Sequence, residues 1–176
     1  MNKSDLAEQP MPTTIRSAAS ADAETLTRLC RFVHELHFDV RPDEFKPFEP
    51  AKVAAWFRTL LAAPTARIWI AASEGHDVGF VAATVHERAE SPITRGRRWL
   101  EVDQLAVDPD FRRRGVARDL ILAAAEQARC EGLATLQTTT WWFNSVARTA
   151  MAQLGFRSKV VRFERSTDEL TAQPAE

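Results

Sequence analysis

The chain contains no tyrosine among its 176 residues. A phenolic hydroxyl is therefore excluded as an acid, base or nucleophile anywhere in it. Cysteine is almost as scarce. Cys30 and Cys130 stand far apart and match no metal-ligand spacing, so two free thiols are expected. There is no apolar run of about 18 residues, which excludes a helical membrane span. Neither sign of charge dominates, since 23 basic and 24 acidic residues leave a net charge of −1. Without a global field, neither nucleic acid nor an anionic membrane is favoured as a partner, and any anion site must be local. No Gly-Lys-Ser/Thr triplet supplies a Walker A loop, and no Gly-x-Gly-x-x-Gly supports a dinucleotide site. His-Glu-x-x-His is absent too. His34 and His37 lie three apart and could pair on a metal, but a partly exposed helix face explains them more simply, so no metal is expected.

What is present suits one domain. Hydrophobic residues make up 45% of the chain, enough for a sizeable core. Residues 1–12 and 168–176 are polar or proline-containing and read as tails around a domain spanning 13–167. The N-terminal MNKSDLAEQPMPTT has no apolar segment and does not read as a secretory signal, so a cytoplasmic protein is expected.

Periodicity predicts a short strand over Thr13–Arg16. A helix capped by Ser20-Ala21-Asp22 follows, with Leu26, Leu29, Cys30, Val33 and Leu36 recurring at helical spacing. Arg41-Pro42 breaks it, and a second helix runs over Pro50–Ala62. Arg67–Ala72 and Val78–Glu87 form a hairpin around Glu74-Gly75-His76-Asp77, and Arg98–Val107 is a further strand. Then come a helix over Val116–Glu131 ended by Gly132, a strand over Leu133–Thr140, a helix over Asn144–Leu154 and a last strand over Phe156–Glu164. The order predicts a mixed α/β sheet with helices packed on it.

The densest signal is WLEVDQLAVDPDFRRRGVARDLIL, residues 99–122. A strand gives way to a basic turn, Arg112-Arg113-Arg114-Gly115-Val116-Ala117, that opens an amphipathic helix. First-turn amides have no intrahelical partner, the helix dipole adds positive potential, and three arginines add full charges. Such a turn suits a phosphate or pyrophosphate.

Taken with the order of elements, this turn makes the chain resemble the GNAT superfamily of acyl-CoA-dependent N-acyltransferases over about residues 13–166. The resemblance rests on Leu105-Ala106-Val107-Asp108-Pro109 followed by Arg112-x-x-Gly115-x-Ala117. Asn144-x-x-Ala147 before Gly155-Phe156, and the opening Ile15-Arg16-x-Ala18 with Asp22, add to it. It implies a mostly antiparallel central sheet with splayed fourth and fifth strands and about four flanking helices. It implies acetyl-CoA as co-substrate, its pyrophosphate on Arg112, Arg113, Arg114, Gly115, Val116 and Ala117. Its pantetheine arm would lie along Leu105, Ala106 and Val107, with a backbone N–H there at the thioester carbonyl. Asn144 stands where family members contact the cofactor arm, and it equally suits an N-cap of the last helix. A homodimer is implied by the resemblance alone.

Acyl transfer to an amine needs a base, because a lysine-like amine with a pKa near 10.4 is protonated at pH 7. Strand alternation puts Glu101, Asp103, Leu105 and Val107 on one face and Leu100, Val102, Gln104 and Ala106 on the other. Two carboxylates on one face raise each other's pKa. Family members carry a catalytic carboxylate at the position of Glu101 or of Asp103, so both are candidates, with Glu101 slightly ahead. The competing reading is a solvated or salt-bridged strand face with Arg97 or Arg98 nearby. Many family members have a tyrosine where this chain has Met151. The proton for the leaving thiolate must then come from elsewhere, such as water or Ser145. Trp141-Trp142-Phe143 suits either a pocket wall or core packing. Phe38, Phe45 and Phe48, among Asp43, Glu44 and Glu49, would suit a cationic amine.

The expected activity is N-acetylation of a primary amine by direct attack in a ternary complex. Neither cysteine has a base beside it in the pattern, so no covalent intermediate is expected. A non-catalytic acyl-CoA-binding or sensing module is the alternative. A nucleic-acid factor has only the Arg112–Arg114 run behind it.

Overall fold

The computed structural model describes residues 13–167. The two tails expected from composition lie outside the described residues. The chain divides into two units at Thr140.

The first unit holds a five-stranded sheet in the order β1-β2-β3-β4-β5. Its strands are β1 (Thr14–Ser17), β2 (Ala66–Ser73), β3 (His76–Arg88), β4 (Arg97–Val107) and β5 (Leu136–Thr138). β1 to β4 pair antiparallel, and β5 runs parallel to β4. Three helices accompany them: α1 (Ala23–Val40), α2 (Pro50–Ala62) and α3 (Val116–Cys130). The apolar stripe of α1 buries Leu26, Leu29 and Cys30, and α2 opens on Pro50, whose missing N–H costs nothing in a first turn. These two helices cover one face, where Phe57, Ile68, Ile70, Phe80, Ala82 and Ala106 complete the core. α3 covers the other with Val116, Leu120, Ile121, Ala124 and Ala128.

α3 comes close because β3 offers it a glycine. A Cβ on Gly79 would sit 2.9 Å from the Ala106 carbonyl oxygen and 3.2 Å from Val116 Cγ1. Gly79→Ala is therefore expected to destabilise the protein by about 1–3 kcal/mol despite the chain entropy it removes, because backbone cannot yield as a side chain can. The urea midpoint measures this. An unchanged or raised midpoint would show that β4 shifts freely.

One departure from strand alternation decides the site. β3 and β4 pair as Ala82 with Gln104 and then Ala83 with Val102, so Asp103 is an extra residue in β4, a bulge. The expected single face of Glu101, Asp103, Leu105 and Val107 is corrected accordingly. Glu101 pairs with Thr84, Gln104 with Ala82 and Ala106 with Phe80, on the face that α1 and α2 cover. Leu105 and Val107 pair with Val81 and Gly79, and so stand with Val102 and Leu100 toward α3. A one-residue slip exchanges the faces of everything beyond it.

β4 also loses a neighbour along its length. β5 pairs only with Leu100, Glu101 and Val102, so from Asp103 onward β4 has an outer edge without a partner strand among the described residues. The pairing stops because β5 ends at Thr138 while β4 runs on to Val107.

The second unit contains α4 (Ser145–Gln153), capped by the Asn144 side chain, which accepts from the Ala147 amide at 3.0 Å. The strand expected over Phe156–Glu164 does not form. That stretch has no regular structure, and Val160, Val161 and Phe163 are exposed. A strand exists by pairing, and no described strand pairs with this one.

Candidate active site

The open edge of β4 has a definite polarity. The Ala106 carbonyl faces β3, as its approach to Gly79 requires, and the Asp108 amide donates to the Val78 carbonyl at 2.8 Å. A strand residue turns its N–H and C=O to the same side, and neighbours alternate. The main-chain groups of Leu105 and Val107 therefore point outward along the open edge. Arg112 Nε donates to the outward Val107 carbonyl at 3.1 Å.

That edge leads through a 3₁₀ turn over Pro109–Phe111 to the basic turn. Gly115 caps α3 in the left-handed region at φ 90°, and Arg113 is also left-handed at φ 62°. The first helical bond at this end is from Asp119 to the Gly115 carbonyl, so the amides of Val116, Ala117 and Arg118 have no intrahelical partner. The position a Gly115 Cβ would take has nothing within 4 Å. Such amides at the head of a 15-residue helix, with open space before them, suit an anion. Arg114 is held over the Phe111 ring at 5.1 Å and pairs with Glu74 at 3.5 Å.

On the α1 face, Arg97, Trp99, Glu101 and Asp103 form a row. Thr84 Oγ1 donates to Asp103 at 2.6 Å. Trp99 Nε1 donates to Glu101 Oε2 at 2.8 Å, and Thr139 Oγ1 donates to Glu101 Oε1 at 3.3 Å. Asp103 is exposed at the surface, yet partial desolvation of its carboxylate pushes its pKa up and Glu101 adds to the rise, against the Thr84 hydrogen bond and the nearby His86. The salt-bridged reading of this face does not hold. Arg98 reaches Glu87 at 3.6 Å, and Arg97 lies over the Trp99 ring at 4.3 Å and bonds Gln137.

Cys30 lies nearer β4 than its helix position suggests, with its thiol donating to Gln104 Oε1 at 3.5 Å. Burial pushes that thiol up to about 11, so it stays protonated and weakly nucleophilic at neutral pH. His34 and His37 pack on Phe45, and His34 also meets Phe48 and the Lys46 carbonyl. Asp43 and Glu44 are paired with Arg41, and Glu49 with Lys52. In the second unit Trp141 stacks on Phe143 while Trp142 is exposed under the Arg148 guanidinium. Sequence reasoning missed Thr84, Trp99 and Thr139. A period-2 reading of both strands would have put Trp99 on the face of Glu101.

An edge without a partner strand among the described residues, a turn whose helix-head amides suit an anion, and two carboxylates beside it are what an acyl-transfer site needs. Residues 31–156 match the model of the acetyltransferase (GNAT) family, and the chain belongs to that family of acyltransferases. No curated protein matches the chain. Among solved structures, the chain is similar to a tetramutant of the BH1408 protein from Bacillus halodurans. Identity there is 21% over 87% of this chain and 99% of that one, with a TM-score of 0.82. It is also similar to the aminoglycoside N-acetyltransferase AAC(6')-Iy in complex with CoA, at 22% identity over 92% and 99% of the chains and a TM-score of 0.68. A third is the aminoglycoside acetyltransferase meta-AAC0020 from an uncultured soil metagenomic sample, in complex with sisomicin. It shares 19% identity over 88% and 95% of the chains, with a TM-score of 0.66. At these identities the likeness is one of fold. Among the described residues, no helix is long and apolar enough to cross a membrane.

Proposed function

We propose that this protein transfers an acetyl group from acetyl-CoA to a primary amine by direct attack within a ternary complex. The observation that carries the proposal is the continuity of the open β4 edge, from Leu105 to Val107, with the helix-head amides after Gly115. An extended pantetheine arm suits the edge as a strand would, and the pyrophosphate suits the turn. The outward amide of Leu105 or Val107 serves as donor to the thioester carbonyl and stabilises negative charge developing on its oxygen.

Of the two carboxylates, Asp103 fits the base. Its raised pKa brings it closer to that of the amine it must deprotonate, and it lies two residues before Leu105. Glu101, with both oxygens already fixed by donors, fits the charge that receives the incoming ammonium. Asp103, directly or through water, takes the proton. The amine nitrogen bonds the acetyl carbon, and the C–S bond breaks. The nitrogen's second proton passes, directly or through water, to the departing thiolate, whose pKa near 8.5 lets it leave without a phenol. The protonated Cys30 thiol gives no route to an acetylated cysteine.

Calorimetric titration with acetyl-CoA tests the proposal, on the wild type and on Gly115→Glu. A carboxylate at the head of α3 opposes the pyrophosphate, and a side chain at φ 90° adds strain. The affinity is expected to fall at least about 100-fold, roughly 2.7 kcal/mol. Circular dichroism checks that the variant is folded. Equal binding by both proteins would remove the turn from the site. Tight binding without transfer to any amine would instead favour the non-catalytic acyl-CoA-binding module, to which the missing tyrosine lends weight.

A further inference from the structure

We infer that Trp99 is a positioning residue for the transfer reaction, holding the Glu101 carboxylate through its indole N–H in the orientation that receives the acceptor's ammonium group. The inference rests on the function proposed above. Trp99 is placed for this by three contacts on its own row and the next strand. One side of the ring stacks on His86 at 5.4 Å between centroids and 16° between planes. Arg97 approaches within 4.3 Å of the same ring's centroid. The two contacts fix the plane of the indole, leaving Nε1 aimed at Glu101 Oε2.

The arrangement is more than packing. Trp99 is only partly buried, so its N–H would have water to bond if Glu101 were not there. The carboxylate meets two donors, one per oxygen, from β4 itself and from Thr139 just past β5. A free glutamate side chain has rotamer freedom to lose when it is fixed. Prior fixing by Trp99 and Thr139 removes that cost from acceptor binding, the general gain of a preorganised site. Each oxygen keeps a lone pair for the acceptor. Asp103, with Thr84 as its one hydrogen-bond donor among the described residues, keeps acceptor capacity for the proton.

Trp99→Phe is the direct test, because it keeps a ring between His86 and Arg97 and removes only the N–H. Initial rates are measured against a panel of primary amines, with thiol release as readout. The KM of each turned-over amine is expected to rise about tenfold, with kcat within about twofold of wild type and acetyl-CoA affinity unchanged. A double-mutant cycle with Glu101→Gln separates positioning from packing. If Trp99 acts through Glu101, Trp99→Phe adds less than about twofold on the Glu101→Gln background. A full tenfold effect on that background, or an unchanged amine KM in the single variant, overturns the inference while leaving acetyl transfer standing. A wild type that acetylates no amine in the panel overturns both.

Discussion

Asp103→Asn is expected to lower kcat/KM for amine acetylation by roughly 10²–10⁴-fold, the range that one general base contributes. The same change is expected to raise the melting temperature at pH 7. The sign follows from linkage. The fold raises the Asp103 pKa, chiefly by partly desolvating a carboxylate that still meets solvent, so it favours the protonated form by a modest margin. Stability is then complete below the ordinary carboxylate range and is lost as pH rises through the raised value. Asparagine carries no proton to lose, and it can still accept from Thr84. The variant should match wild type near pH 3 and exceed it at pH 7, by calorimetry or thermal circular dichroism. The acid limb of the wild-type rate profile, where Asp103 becomes protonated, should disappear from whatever rate remains. A variant both slow and less stable at pH 7 would assign Asp103 a structural role instead.

Phe80→Ala is expected to produce the largest loss of stability, about 3–5 kcal/mol. Phe80 is fully buried in the centre of β3 and meets Phe57 of α2 edge-on at 5.7 Å between centroids. Its partner across the ladder is Ala106, a methyl group too small to fill the space. Domains are stable by only about 5–15 kcal/mol, so such a cavity consumes a large share. A urea midpoint reduced accordingly, with the slope unchanged, is the expected reading. A loss below about 1.5 kcal/mol would mean that α1 and α2 collapse onto the gap.

The helices were legible in the chain for simple reasons. Leu26, Leu29 and Cys30 recur at 3.6-residue spacing. Pro50 marks the first turn of α2, and Gly115 marks the head of α3. The hairpin was equally plain from the turn residues at Glu74 and Gly75. The bulge was not. Nothing in Val102-Asp103-Gln104 distinguishes an extra residue from an ordinary alternating one, because a bulge is a mismatch of counts between two strands. The expectation for Leu105 and Val107 therefore came out on the wrong face, whereas Glu101 and Asp103 were correctly placed together. Phe156–Glu164 failed for a related reason. Its β-branched and aromatic residues state a propensity, and a strand needs a partner that no local pattern can name. The Trp99 hydrogen bond to Glu101 depends on a ring plane set by His86 from across the sheet, which is again a property of pairing.

The open edge of β4 has a second side. Unsatisfied main-chain groups on a strand edge will template any extended backbone, which is how sheets aggregate. Such an edge cannot be blunted by proline or an inward lysine without spoiling the surface a thioester arm would use. The chain guards it from the end instead. Arg112 caps the Val107 carbonyl, so a second polypeptide approaching the edge there meets a guanidinium in place of a free acceptor. The Arg112 contact thus also closes one of the edge's free acceptors to another backbone.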